Sequence, residues 1–390
     1  MEAINFTHVI IPFFFSNSKE TSLPLIHSIF LSDSTIIHFR DWLGINGPLL
    51  IAGPCGAESE AQVIETARGI SASGKVALFR AGIWKPRTRP NSFEGVGEEA
   101  LKWLQRVKRE FGLKTTVEVA TSKHVELALK YDVDVLWIGA RTTVNPFSVQ
   151  EIADNLRGCD VPVLVKNPVH ADVHLWIGAI ERVRQAGVQK LIAVHRGFYN
   201  PRQTKFRNDP MWELVIELKT QLPQLPVVCD PSHISGNRNL LQSTAQKAID
   251  LGMEGLMIET HFNPEAALSD AAQQITPLQL NTLIDSLIFR HSYSDSKEFR
   301  DKLQELRNSI DELDEELILL LKRRDSLIEQ IGTYKKEHHI TIFQLERWME
   351  ILRTRSVSAA EKGFPKDFIE KLCLLLHEES IRRQNEILNS

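Results

Sequence analysis

Eight short, β-rich apolar runs recur between residues 49 and 260, each separated from the next by a stretch of helical periodicity. The runs fall at 49–53, 77–81, 115–120, 135–140, 162–166, 191–195, 227–230 and 256–260. Helix-like segments lie between them, at 61–73, 98–111, 122–130, 149–156, 172–186, 211–221 and 240–251. Strands that are apolar throughout, rather than at alternate positions, are covered on both faces, which means a parallel sheet packed under helices. Eight such repeats in about 240 residues fit a closed (β/α)8 TIM barrel. An open doubly wound sheet is the alternative, but no Gly-x-Gly-x-x-Gly comes after the first run.

The pattern changes near residues 293–297. Beyond it Leu303, Leu306, Ile310, Leu313, Leu317, Leu320, Leu321, Leu327, Ile328 and Ile331 trace one apolar stripe at helical spacing. Two further helices are expected at 344–360 and 365–388, the second opened by a proline. Three helices cannot bury so long a stripe by themselves, so an intertwined homodimer or higher homo-oligomer is expected. The chain therefore divides into an irregular extension (1–46), a barrel domain (47–290), a linker (291–297) and an all-α three-helix domain (298–390). The apolar run at residues 9–15 is too short to span a membrane and has only Glu2 before it, unlike a secretory signal.

The formal net charge of −4 argues against a nucleic-acid partner, and no membrane partner is expected. Four cysteines without a Cys-x-x-Cys pair suggest neither a disulfide framework nor a zinc ribbon, and fit a reducing, cytoplasmic setting.

In a barrel the C-terminal ends of the strands face the active site. The polar residues just past the eight runs fall into two groups. The first is cationic: Arg80, Lys85, Arg87, Arg141, Lys166 and Arg196. A single Lys or Arg at such a place is ordinarily a solvated surface charge. Six at one barrel mouth repel each other unless an anion lies among them, which points to phosphate and carboxylate substrates. The second group, Cys55, His233, Glu259 and Asp270, is a mixed sulfur, nitrogen and oxygen set. Each alone is explained as core or structural, but together they suit a divalent transition metal. Mn, Fe, Co or Zn are open, while Mg and Ca are disfavoured.

The motifs Gly-Pro-Cys, Lys-Pro-Arg-Thr, Gly-Ala-Arg, His-Arg-Gly, Asp-Pro-Ser-His and Leu-Ser-Asp resemble those of 3-deoxy-D-arabino-heptulosonate-7-phosphate (DAHP) synthases of the type I beta group, over residues 48–290. The resemblance implies that Cys55, His233, Glu259 and Asp270 bind the metal, and that Arg80, Lys85, Arg141, Lys166 and Arg196 hold phosphoenolpyruvate. It places Arg87 and Thr88 against the phosphate of erythrose 4-phosphate, and leaves Lys166 or a metal-held water as the proton carrier. Gly56 departs from the family, which has serine there. A related octulosonate synthase is the competing reading, disfavoured by the Lys-Pro-Arg-Thr loop.

The tail's basic residues can be read as a solvated helix face. Yet the stretches 306–314 and 323–335 resemble the all-helical chorismate mutases. That resemblance implies Arg324, Lys335, Gln344, Arg347, Ser380 and Gln384 in one site, completed by Arg307 from the partner subunit, with Lys335 and Gln384 facing the substrate ether oxygen. Trp348 stands where relatives carry a glutamate, and Gln344 where they carry an aspartate. The combined reading is a bifunctional enzyme: a metal-dependent synthase and a chorismate mutase, with feedback by prephenate. The alternative makes the tail a non-catalytic sensing and dimerisation module.

Overall fold

The computed structural model describes residues 36–85, 93–202, 204–290 and 293–390. The chain forms two compact units, Met1–Arg290 and His291–Ser390.

In the first unit a short helix, α1 (Phe39–Leu43), precedes a regular alternation of strand and helix. The order begins β1 (Leu49–Gly53), α2 (Glu60–Ser71), β2 (Leu78–Ala81), α3 (Glu98–Phe111), β3 (Lys114–Val119), α4 (Ser122–Lys130) and β4 (Val135–Ile138). It continues α5 (Ala140–Thr143), α6 (Pro146–Asn155), β5 (Val163–Lys166), α7 (Val173–Gln185), β6 (Leu191–His195) and α8 (Trp212–Gln221). It closes with β7 (Val227–Cys229), α9 (Pro231–Ser235), α10 (Leu241–Asp250), β8 (Gly255–Glu259) and α11 (Pro277–Ser286). All pairings are parallel and run in sequence order, with β1 against β8, so the barrel is closed. The expected strands are all present, with ends displaced by two residues or fewer.

The helices start where side chains can take up free backbone N–H groups. Ser59, Thr121 and Asp172 each accept such a bond, and Asn145 and Asp230 do so just before a proline at the first helical position. Helix α11 goes beyond the sequence reading. It is opened by a full capping box between Thr276 and Gln279, a local signal that periodicity alone passes over.

Two apolar layers result. Leu49, Ile51, Leu78, Val135, Trp137, Leu164, Ile192, Val194, Val228 and Met257 fill the barrel, while a larger cluster fills the space between barrel and helices. Residues 36–43, read from sequence as irregular extension, have a structural job. Phe39 is fully buried in the barrel's inner cluster. His38 Nε2 lies 2.7 Å from Glu254 Oε2, immediately before β8, and Ile37 N–H donates to Gln189 O, just ahead of β6. Helix α1 therefore stoppers the N-terminal end of the barrel, opposite the end where chemistry is expected.

The second unit holds α12 (Lys297–Glu337), α13 (Leu345–Glu361) and α14 (Lys366–Asn389). At 41 residues α12 is about 60 Å long. Its C-terminal half packs on α14, closely enough that a Cβ at Gly332 would stand 3.0 Å from Ile387 Cδ1. Its N-terminal half is different: Leu306, Ile310, Leu313 and Leu317 are each more than half exposed. None of the helices in the described residues is long and apolar enough to cross a membrane.

Truncating the stopper is expected to be costly. Phe39→Ala should lower barrel stability by about 3–5 kcal/mol in denaturant unfolding. A loss under about 1 kcal/mol would show that α1 is an ornament of the fold.

Candidate active site

Closing β1 against β8 sets Gly53 beside Glu259, so the chain leaving β1 runs alongside the end of β8. Gly53 has φ +148°, and a Cβ there would meet Arg80 O at 2.1 Å, so only glycine lets the chain turn inward at this point. The turn delivers Cys55, which is buried and donates its backbone N–H to Gln274 Oε1 at 3.0 Å. Its Sγ lies 3.2 Å from Asp270 Oδ2 and 2.7 Å from Lys85 Nζ. Asp270 itself sits at φ +52°, a region few non-glycine residues adopt.

Ligand atoms of Cys55, Glu259 and Asp270 lie within 4.8 Å of one another. Glu259 is fully buried, and its Oε1 lacks a hydrogen-bond partner among the described residues, although Arg80 Nη2 is 3.2 Å away. Its Oε2 accepts from Gln273 Nε2 at 2.6 Å. His233 stands at the edge of this trio: Nε2 is 3.7 Å from Glu259 Oε1, while Nδ1 is 2.8 Å from Asp230 Oδ2. A thiol and two carboxylates with one imidazole alongside, one carboxylate oxygen left over, is a donor set that fits a divalent transition metal.

Of the cations, Arg80 and Lys85 touch this trio directly. Lys166 Nζ is paired with Asp230 Oδ2 at 2.8 Å. Arg80 and Lys166 both lie over the face of Trp137, at 5.1 and 5.7 Å from the ring centroid, and Trp137 Nε1 donates to Glu118 Oε2 at 3.1 Å. Arg196 donates through Nη1 to Asn208 Oδ1 at 2.7 Å, and its backbone N–H is held by Asn167 Oδ1. Arg80 keeps two buried donors, Nε and Nη1, without partners among the described residues. Arg141 is exposed at the start of α5, and Arg87 and Thr88 lie outside the described residues.

Burial, reinforced by Glu259 and Asp270 and opposed by Lys85, pushes the Cys55 thiol up to about 12. Burial also tends to raise Asp230, but His233 and Lys166 outweigh it and hold that carboxyl well below the usual value. Asp230, Arg207 and Gln273 have roles that strand-end reading misses. Arg207 Nη1 lies 3.0 Å from Asp270 Oδ1 and donates to Gln273 Oε1 at 2.7 Å. Asp230 belongs to the Asp-Pro-Ser-His motif, so a signal for it exists; Arg207 lies in the long connection after β6, where spacing gives no cue.

In the helical unit Arg324 Nη2 donates to Ser380 Oγ at 2.8 Å, and both Ser380 and Gln384 are buried. Lys335 Nζ donates to Ile342 O at 2.5 Å, Gln344 stands just before α13 without a side-chain capping bond, and Arg347 pairs with Glu350 at 2.6 Å. A cavity of about 420 Å³ opens beside Arg324, Arg347, Trp348 and His377. Arg307 is not part of this group: it lies 17 positions before Arg324 on the same helix, about 25 Å away along the axis.

The fold defines a closed (β/α)8 barrel whose mouth gathers buried cations beside a donor set that suits a divalent metal, on one chain with a helical unit that carries a basic cavity. Comparisons with known proteins give the family. Residues 37–290, more than half of the chain, match the DAHP synthetase I family, and residues 306–385 match chorismate mutase type II. The chain belongs to the DAHP synthetase I family and carries a chorismate mutase type II domain on the same polypeptide. A phospho-2-dehydro-3-deoxyheptonate aldolase of Thermotoga maritima is 31% identical over 252 residues, which cover 64% of this chain and 72% of that protein. A 2-dehydro-3-deoxyphosphooctonate aldolase of Variovorax paradoxus is 29% identical over 273 residues, covering 63% of this chain and 91% of its own. The crystal structure of the T. maritima DAHP synthase is similar with a TM-score of 0.55 and 29% identity, over 62% of this chain and 68% of that one.

Asp230→Asn keeps the helix cap but removes the buried charge that faces Lys166 and His233. It should destabilise the barrel by about 3–5 kcal/mol at neutral pH. Because the folded state holds this carboxyl below its ordinary value of 3.8, its contribution is complete above that value and lost as pH falls beneath it. Unfolding curves of the two proteins should therefore converge in acid. Equal stability at neutral pH would refute the pairing.

Proposed function

We propose that the barrel condenses phosphoenolpyruvate with erythrose 4-phosphate and water to DAHP and phosphate, using a divalent transition metal held by Cys55, His233, Glu259 and Asp270. The observation that carries the reading is Arg80, whose two buried donors have no partner among the described residues and which shares the Trp137 face with Lys166 and the Cys55 carbonyl with Lys85, beside the donor trio. Buried guanidinium donors are costly unless something occupies them, and an anionic substrate does so.

When bound, the metal supplies Lewis acidity toward the aldehyde oxygen. The chain's own groups do the rest. Arg80, Lys85, Arg141, Lys166 and Arg196 fix the phosphate and carboxylate of phosphoenolpyruvate, which sets its C3 toward the aldehyde. Trp137 fixes the heads of Arg80 and Lys166, and Asp230 orients the Lys166 amine toward the reacting groups, where it serves as the proton carrier. Lys85 Nζ against Cys55 Sγ favours the thiolate that a metal requires. Arg87 and Thr88 are assigned to the sugar phosphate.

We further propose that the helical unit rearranges chorismate to prephenate as a homodimer and that prephenate slows the synthase. Arg324 and Arg347 hold carboxylates, Lys335 and Gln384 face the ether oxygen, and the partner supplies a second Arg307. Two features support the dimer: the half-exposed stripe on α12, and an Arg307 too far along that helix to serve its own site. A sensing module without turnover is favoured by Trp348 and Gln344, which carry no negative charge where relatives do.

Steady-state assays separate these readings. Lys166→Met should lower synthase kcat by about 10²–10⁴. The wild type should prefer erythrose 4-phosphate over arabinose 5-phosphate, convert chorismate, and slow when prephenate is added. Preference for the five-carbon sugar phosphate would make the barrel an octulosonate synthase. Saturable chorismate binding without turnover would reduce the tail to a sensor.

A further inference from the structure

Among the polar groups that line the cavity of about 420 Å³ in the helical unit and have no role above, His377 is set apart by its surroundings. On α14, it lines the cavity together with Arg324, Arg347 and Trp348. Its ring stacks on Trp348 with centroids 4.3 Å apart and planes 18° from parallel, and Phe343 meets it edge-on at 5.8 Å. The imidazole is thus clamped from two sides. Its Nε2 is nonetheless buried and has no hydrogen-bond partner among the described residues. A donor or acceptor left in that state costs free energy unless a ligand completes it.

We propose that His377, oriented by the face of Trp348, binds the ring hydroxyl of the substrate and so fixes which dicarboxylate the helical unit accepts. The inference rests on the mutase reading and sharpens it. A substrate with two carboxylates and one hydroxyl presents two different problems to a binding site. The carboxylates outcompete the hydroxyl for arginines, because charge-assisted bonds are about twice as strong as neutral ones. The hydroxyl therefore needs an uncharged partner. Trp348 offers an N–H donor but no acceptor, and Ser358 Oγ already accepts from Lys362 Nζ at 2.9 Å. Arg355 and Lys362 are cations, and among the remaining uncharged lining groups Cys373 brings only a thiol, a weak hydrogen-bonding group. Burial, then Arg324 and Lys335, lowers the imidazole's affinity for a proton against the opposing pull of Glu378. The ring is then neutral at physiological pH and can both give and take a hydrogen bond.

Two substitutions in the full chain decide the matter. His377→Phe keeps a ring on Trp348 but removes both nitrogens; His377→Gln abandons the stack but keeps a donor and an acceptor. The expected result is a loss in chorismate kcat/KM of about 10- to 100-fold for the Phe variant, with the Gln variant clearly more active than Phe. Far-ultraviolet circular dichroism checks that both remain helical. A Phe variant as active as the wild type, or a Gln variant no better than Phe, would overturn the proposal and leave His377 a packing residue. If the wild type binds chorismate in calorimetry without converting it, the mutase reading fails separately. The ratio of chorismate affinities between wild type, Phe and Gln variants then decides the role of His377 by the same criterion.

Discussion

The barrel mouth is built around buried charges that hold each other in place. Glu259 and Asp230 are fully buried carboxylates, and each is tolerated only because a cation or imidazole lies within about 3 Å: Arg80 for the first, Lys166 and His233 for the second. Taking such charges out of water costs several kcal/mol apiece, and removing one partner leaves the other stranded. The rest of the unit is arranged to make the pairing possible. Trp137 gives the cationic heads an apolar floor, Gln273 takes the free oxygen of Glu259, and Asn167 and Asn208 steer Arg196. Much of the hydrogen bonding is thereby committed before any ligand arrives, while two donors of Arg80 and an oxygen of Glu259 are among the positions without a partner in the described residues.

Most of the barrel and part of this site were legible in the sequence. Apolar runs of four to six residues at regular spacing can only be strands buried on both faces, so their ends, and the residues just past them, announced Cys55, Arg80, Lys166, His233 and Glu259. What lay in loops was harder to see. Arg207 reaches Asp270 from the connection after β6, and Gln273 reaches Glu259 by a turn, neither fixed by any periodicity. Helix α1 was invisible for another reason: five residues are too few to show a period, and only the closed barrel gives Phe39 a place to go. His377 escaped because a single histidine on a helix has no signal until its neighbours Trp348 and Phe343 are known.

The helical unit obeys a different logic. Its long helix α12 spends its C-terminal half on its own chain, against α14, and leaves the apolar side chains of its N-terminal half in solvent. Exposed leucines and isoleucines in a continuous row are a costly surface to leave uncovered, and the row begins at the turn that carries Arg307. Completion of the basic cavity and burial of the stripe are thus one event if a second chain lies across it.

Cobalt(II) titration of the metal-free full chain addresses the central claim, that Cys55 and its neighbours hold a divalent metal among the substrate-binding cations. Spectra should develop a thiolate-to-metal charge-transfer band that saturates at stoichiometric metal and vanishes in Cys55→Ser. A cobalt complex that forms with wild-type affinity but without that band, or one that Cys55→Ser leaves unchanged, would contradict the assignment and move the metal away from β1.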